Sequence, residues 1–147
     1  MATSYSDWVY YGSGCCALRI KWTYTDSNTT CAVKATLQRW DKYAQSGQGS
    51  ATLSQTSTSG GSANFGSCSN DQTRDICSTT SYTYSKGTST KTVTASVSTN
   101  DWFATITDGG YVTIGKISFS KTFTISKKTS YTVKYAANGG SSTPSGI

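Results

Sequence analysis

Residues 17–25 read ALRIKWTYT and residues 31–40 read CAVKATLQRW. In the first stretch Leu18, Ile20, Trp22 and Tyr24 recur at every second position, with Arg19, Lys21 and Thr23 between them. A period of two sends successive side chains to opposite faces of an extended chain, so the first set packs inward and the second meets water. The second stretch repeats the pattern, with Val33, Ala35 and Leu37 on one side and Lys34, Thr36 and Gln38 on the other. Residues 26–30, DSNTT, break the alternation with turn-forming side chains, which predicts an adjacent antiparallel pair.

The rest of the composition agrees with a β protein. Ser and Thr make up about a third of the 147 residues, and the apolar fraction is concentrated in Val, Ile and the aromatic residues, which suit a pleated, half-buried surface. Glu and His are both absent, and no run of strong helix formers occurs. The length suits one core, or one core plus a fragment.

Further strands follow from the same alternation. Residues 43–77 are polar and show only short candidate strands, around Ala51 to Leu53 and Ala63 to Phe65. Order returns at SYTYSKGTSTKTVTASVS (81–98), where SKGTS reads as a turn before Val93, Ala95 and Val97. A turn at Asp108-Gly109 precedes a strand carrying Val112 and Ile114, and KTFTIS puts Phe123 and Ile125 on one face. Seven to nine short strands separated by turns predict an antiparallel β-sandwich of immunoglobulin-like or jelly-roll type, with a closed barrel as the alternative. The sandwich spans 1–126 and 127–130 is a connector. In 131–147, YTVKYAANGG (131–140) reads as a strand and type I′ turn, the first strand of a following module or a docking strand.

The charge of +6 comes from Lys and Arg dispersed singly, such as Arg19, Lys34, Lys91 and Lys116, with only Lys127-Lys128 adjacent in the sandwich and connector. Nucleic-acid binders concentrate charge on one patch, so no nucleic-acid partner is expected; the dispersed charges read as a solvated basic sheet face, with attraction to an anionic surface such as teichoic acid as the alternative. No stretch has the length of a membrane span, and MATSYSDW lacks the pattern of a signal peptide, so no membrane partner is expected.

Five cysteines, Cys15, Cys16, Cys31, Cys68 and Cys77, fit neither an even disulfide framework nor paired zinc spacing. Most read as small, reduced, apolar residues, and no metal or other cofactor is expected. The spacing in CSNDQTRDIC allows a Cys68–Cys77 bridge in an oxidising medium.

Acid–base catalysis needs a His or a positioned pair of carboxylates. The chain has no His, and Asp71, Asp75, Asp101 and Asp108 sit in contexts where Asp caps turns, so no catalytic residue is assigned and the chain reads as non-enzymatic. Binding is better supported. Four Trp and ten Tyr exceed what one sandwich core needs, and WVYY and SYTYS put neighbouring aromatics on opposite faces. Exposed rings among Ser, Thr, Asn and Asp suit sugars. Tyr10, Tyr11, Tyr82, Tyr84 and Trp102 are the candidate ligand-binding residues, while the competing reading makes Trp8, Trp22, Trp40 and Trp102 core or inter-module packing.

At YTVKYAANGGSSTPSG (131–146) the chain resembles the opening strand and turn of short β repeats in bacterial surface proteins of the internalin and Listeria-Bacteroides type. The same phrase is similar to one in a family of siphovirus minor structural proteins of unassigned function. LRIKWTYTDSNTTCAVKATLQRW resembles that family's early strand pair, and SYTYSKGTSTKTVTASVS its later turn and strand, although the family has a His and an Asp-Gly turn at that point. The resemblance implies a virion component of a tailed phage, in the tail tip, a fibre or a decoration module. It implies assembly with other virion proteins, a homo-oligomer, and a role either in adhesion to cell-surface polysaccharide or in spacing. The alternative it implies is a bacterial cell-surface adhesin or carbohydrate-binding module.

Overall fold

A computed structural model describes residues 1–46, 49–107 and 110–129, and they form an all-β, antiparallel sandwich of twelve strands. In order these are β1 (Ala2–Tyr5), β2 (Val9–Tyr11), β3 (Cys16–Asp26), β4 (Thr30–Asp41), β5 (Ser50–Gln55), β6 (Thr58–Asn64), β7 (Gln72–Ser78), β8 (Tyr82–Ser85), β9 (Lys91–Thr99), β10 (Phe103–Thr107), β11 (Gly110–Thr113) and β12 (Ser118–Ile125). The decisive pair holds: β3 and β4 run antiparallel from Cys16↔Asp41 to Asp26↔Cys31. Ser27 closes the turn, its backbone N–H donating to the Thr30 carbonyl at 2.9 Å.

The first sheet is centred on β3 and β4, and each of its outer lines is split. β1 and β2 share the free side of β3, while β7 and β8 share that of β4. The second sheet runs β12-β9-β5-β6, and β10 and β11 form a separate hairpin. The strand pattern of 91–98 is confirmed, but SKGTS joins no hairpin. β8 pairs with β4 and β9 with β5 and β12, so the segment crosses between sheets. Residues 72–78, expected to be loop, are β7, because the alternation there is hidden by Arg74 and by a bulge opposite Leu37 and Gln38. Asp108 and the YTVKYAANGG strand lie outside the described residues, as do the rest of 131–147.

Between the sheets Leu18, Ile20, Trp22, Val33, Ala35 and Leu37 meet Ala51, Leu53, Val93, Ala95, Val97 and Ile125, all buried. One end of this core is closed by the turn at 27–30. Ala2 pairs with Tyr24 there, and the Thr129 N–H donates to the Asn28 carbonyl at 3.1 Å. The other end is closed by Trp102 and Phe65, ring centroids 5.0 Å apart, with Tyr11 edge-on to Trp102 at 5.4 Å. Gly49 has φ +94°, and a Cβ on it would sit 2.3 Å from that of Trp102, so the tryptophan needs a glycine beside it.

The alternation of β4 continues past Leu37 and carries Arg39 and Asp41 into this end of the core, where both are fully buried. Arg39 Nη2 donates to Asp41 Oδ1 and to the Phe103 carbonyl, each at 2.9 Å, and its Nε lies 2.8 Å from Asp41 Oδ2. Arg74 Nη1 donates to the same Asp41 Oδ2 at 3.0 Å, while its Nη2 donates to the Phe65 carbonyl. The Arg39 guanidinium also lies 4.6 Å from the Phe65 ring centroid and 4.8 Å from that of Trp102. One carboxylate thus serves two guanidinium groups, with aromatic faces and carbonyls supplying the rest of the stabilisation.

All five cysteines are free thiols. The Cys68–Cys77 bridge is not formed, because Cys68 is held opposite Gln45 while β7 runs extended from Gln72 and carries Cys77 to the level of Leu37. Burial pushes the Cys16 thiol up to about 12, and it raises Cys31, Cys68 and Cys77 as well. A raised folded-state value means that the native state keeps its proton after the unfolded chain has lost it. Stability from this source is therefore complete below about pH 9 and falls as pH rises toward 12. Chemical denaturation at a series of alkaline pH values is expected to show that decline, and Cys16→Ala to reduce its slope; an unchanged slope would contradict the assignment.

Candidate functional site

The outward face of the first sheet carries a row set by register. Tyr10 of β2 pairs with Ala17 of β3, Ala17 with Trp40 of β4, and Trp40 with Thr73 of β7. Ala17 is small, so the two flanking rings close over it edge to face, 6.5 Å between centroids and 79° between planes. Their arrangement is a corner, not a continuous flat platform. Tyr10 remains 59% exposed, which leaves ring surface for a ligand.

The adjacent row is Arg19–Gln38–Asp75. Arg19 Nε donates to Gln38 Oε1 at 2.9 Å, and Gln38 Nε2 donates to Asp75 Oδ1 at 2.7 Å, a relay across three strands. Lys21 Nζ reaches Asp75 Oδ2 at 3.3 Å. The Gln38 bond, helped by Lys21, holds the Asp75 carboxyl below its ordinary value. Above the relay the Arg19 guanidinium lies 4.1 Å from the centroid of the Tyr5 ring and 4.1 Å from that of Trp8.

Asp71 orients Trp40. It takes a left-handed backbone, φ +51°, which Asp tolerates better than most residues, and its Oδ1 accepts the Trp40 indole N–H at 2.7 Å. Its own N–H donates to the Lys42 carbonyl. Trp8, Tyr10, Arg19, Trp40, Asp71 and Thr73 together line an open cleft of about 370 Å³. Rings for stacking, a guanidinium, a carboxylate and hydroxyls can hold a polyhydroxylated ligand by its apolar ring faces and its polar rim.

Of the five aromatic residues expected to bind, Tyr10 lies in this cleft. Tyr82 is 40% exposed but lies elsewhere, opposite Val33 near the other end of the sheet. The other three are corrected: Trp102 and Tyr84 are buried, and Tyr11 is half-buried against the core. Trp102 is fully buried and closes the core, so it has no face to offer. Tyr84 is 8% exposed: two residues from Tyr82, it shares the same strand face and enters a polar cluster, where its hydroxyl accepts from Gln55 Nε2 at 2.9 Å and donates to the Thr56 carbonyl. Tyr11 points inward from β2 onto Trp102, on the side opposite Tyr10. Sequence reading missed Tyr5, Trp8, Arg19, Trp40 and Asp71. The signal for Trp40 was present, since it shares parity with the outward Lys34 and Gln38.

The carboxylates taken as turn residues separate here. Asp71 and Asp75 hold Trp40 and the Gln38–Lys21 pair, whereas Asp101 is exposed beside Trp102. No protein-family model matches this chain, and no curated protein or solved structure was found to match it.

Proposed function

We propose that this chain is a non-enzymatic adhesion module that binds cell-surface polysaccharide through the outward face of its first sheet, as a structural component of a tailed-phage virion. The observation carrying the adhesion reading is the cluster of Tyr5, Trp8, Tyr10 and Trp40 on a solvent-facing sheet surface, where none of the four contributes to the core. The non-enzymatic reading is supported by the engagement of Asp26, Asp41, Asp71 and Asp75 with Lys86, Arg39, Trp40 and Gln38. The virion setting, with other virion proteins and further copies of the chain as partners, draws on the resemblance at 18–40 and 81–98. Thr129, the last described residue, lies beside Asn28, while the Tyr10–Trp40 row lies toward the Asp41 end.

A glycan array tests the adhesion. Wild-type protein is expected to give signals that Trp40→Ala reduces by roughly tenfold or more, while Tyr82→Ala leaves them unchanged. No signal from folded, correctly assembled protein would leave only a scaffold. Immunolabelling of purified particles tests the virion setting. The second reading, a bacterial surface adhesin, uses the same cleft and predicts labelling of the cell wall instead.

A further inference from the structure

Resting on that adhesion reading, we infer that the cleft selects an acidic glycan, with a sugar ring against the Tyr10–Trp40 corner and a carboxylate or phosphate on Arg19. Arg19 is prepared for such a contact. Its planar group is held 4.1 Å from each of two ring centroids, and its Nε is fixed by Gln38. Among the described residues neither Nη has a hydrogen-bond partner. A guanidinium oriented in this way presents a fork matched to two oxygens of one anion, and little further ordering is needed on binding.

The neighbouring charges are consistent with one acid per binding unit. Asp75 is already neutralised by Lys21 and bonded to Gln38, so it does not compete for the Arg19 fork. Asp71, which lines the cleft, has Oδ1 engaged by the Trp40 indole and its other oxygen available to accept a sugar hydroxyl. It disfavours a ligand charged on every side and favours one that brings hydroxyls to Asp71 and an anion to Arg19. The +6 net charge attracts such a polymer from a distance, more weakly as salt rises.

The test is calorimetric titration of the full chain with polygalacturonate, with glycerol-phosphate teichoic acid and with neutral dextran. At least one acidic polymer is expected to bind ten times or more as tightly as dextran, and which one it is separates carboxylate from phosphate. Arg19→Gln is expected to cost roughly ten- to a hundredfold on the acidic polymer, the span of a charged hydrogen bond, and to narrow the ratio of its affinity to that of dextran. Arg19→Lys keeps the charge without the fork and is expected to recover only a small part. Wild-type-like affinity in Arg19→Lys would reduce the fork to general attraction and overturn the inference, a result available even if Arg19→Gln does not fold. Equal affinity for acidic and neutral polymers would also overturn it while leaving adhesion intact. Loss of all binding in the array would remove both.

Discussion

Asp41→Asn is expected to destabilise the protein by about 3–5 kcal/mol, read as a lowered denaturant midpoint, even though it removes no volume. Asp41 is fully buried and is the shared partner of Arg39, also fully buried, and of Arg74. Neutralising it leaves two guanidinium groups at the Trp102 end of the core with only carbonyls and ring faces around them. Arg39 cannot respond by giving up its proton. The loss is specific to uncompensated charge, so Arg39→Met and Arg74→Met combined with Asp41→Leu are expected to recover much of it. A loss below about 1 kcal/mol for Asp41→Asn would show that water reaches this end of the core and solvates the charges.

Trp102→Ala is the second large effect, also expected to cost about 3–5 kcal/mol. Trp102 is fully buried, packs on Phe65 and Tyr11, faces Arg39, and is seated against Gly49. Removing it opens a cavity that neighbouring strands cannot fill without moving the β10–β11 hairpin, since the Ile114 N–H donates to the Trp102 carbonyl at 2.7 Å. Because Arg39 loses one of its two aromatic faces as well, the variant is expected to be non-additive with Arg39→Met in a double-mutant cycle. Additivity within about 0.5 kcal/mol would mean that the ring acts only by volume. Glycan binding should survive in the folded fraction, because the cleft is on the other face of the first sheet.

The residues of β3 and β4 made the central pair legible, because one face is wholly apolar as far as Leu37 and the turn is composed of Asp, Ser, Asn and Thr. β9 was legible for the same reason, and β12 through Phe123 and Ile125 on one face. β7 was hidden, since its inward positions include Arg74 and a bulge shifts its parity. Pairing across long separations was hidden as well: β8 and β9 adjoin in sequence, but alternation does not say which sheet a strand joins. The site followed a similar division. Tyr10 was accessible to sequence reasoning through its position in WVYY, whereas the pairing of Arg19 with Trp8, or of Asp71 with Trp40, arises from tertiary register. Tyr84 and Trp102 were misplaced because aromatic abundance does not distinguish a ring with an open face from one that closes a core.

The split outer lines of the first sheet have a consequence for crowding. An incoming strand of another copy finds β1, β2 and β8 only three or four residues long, while β7 lies against β6 of the second sheet. Among the described residues the longest unpaired edge is the eight-residue β12, whose outward side chains are all hydroxyl-bearing, Ser118, Ser120, Thr122 and Thr124. Hydroxyls alone would not deter a second sheet from joining. The deterrent is Lys121, which pairs with the buried Ala95 and stands between Phe119 and Phe123, an ammonium that an added strand would have to bury. A second copy is therefore kept from extending this sheet by one inward-facing lysine and by the shortness of the other described edges.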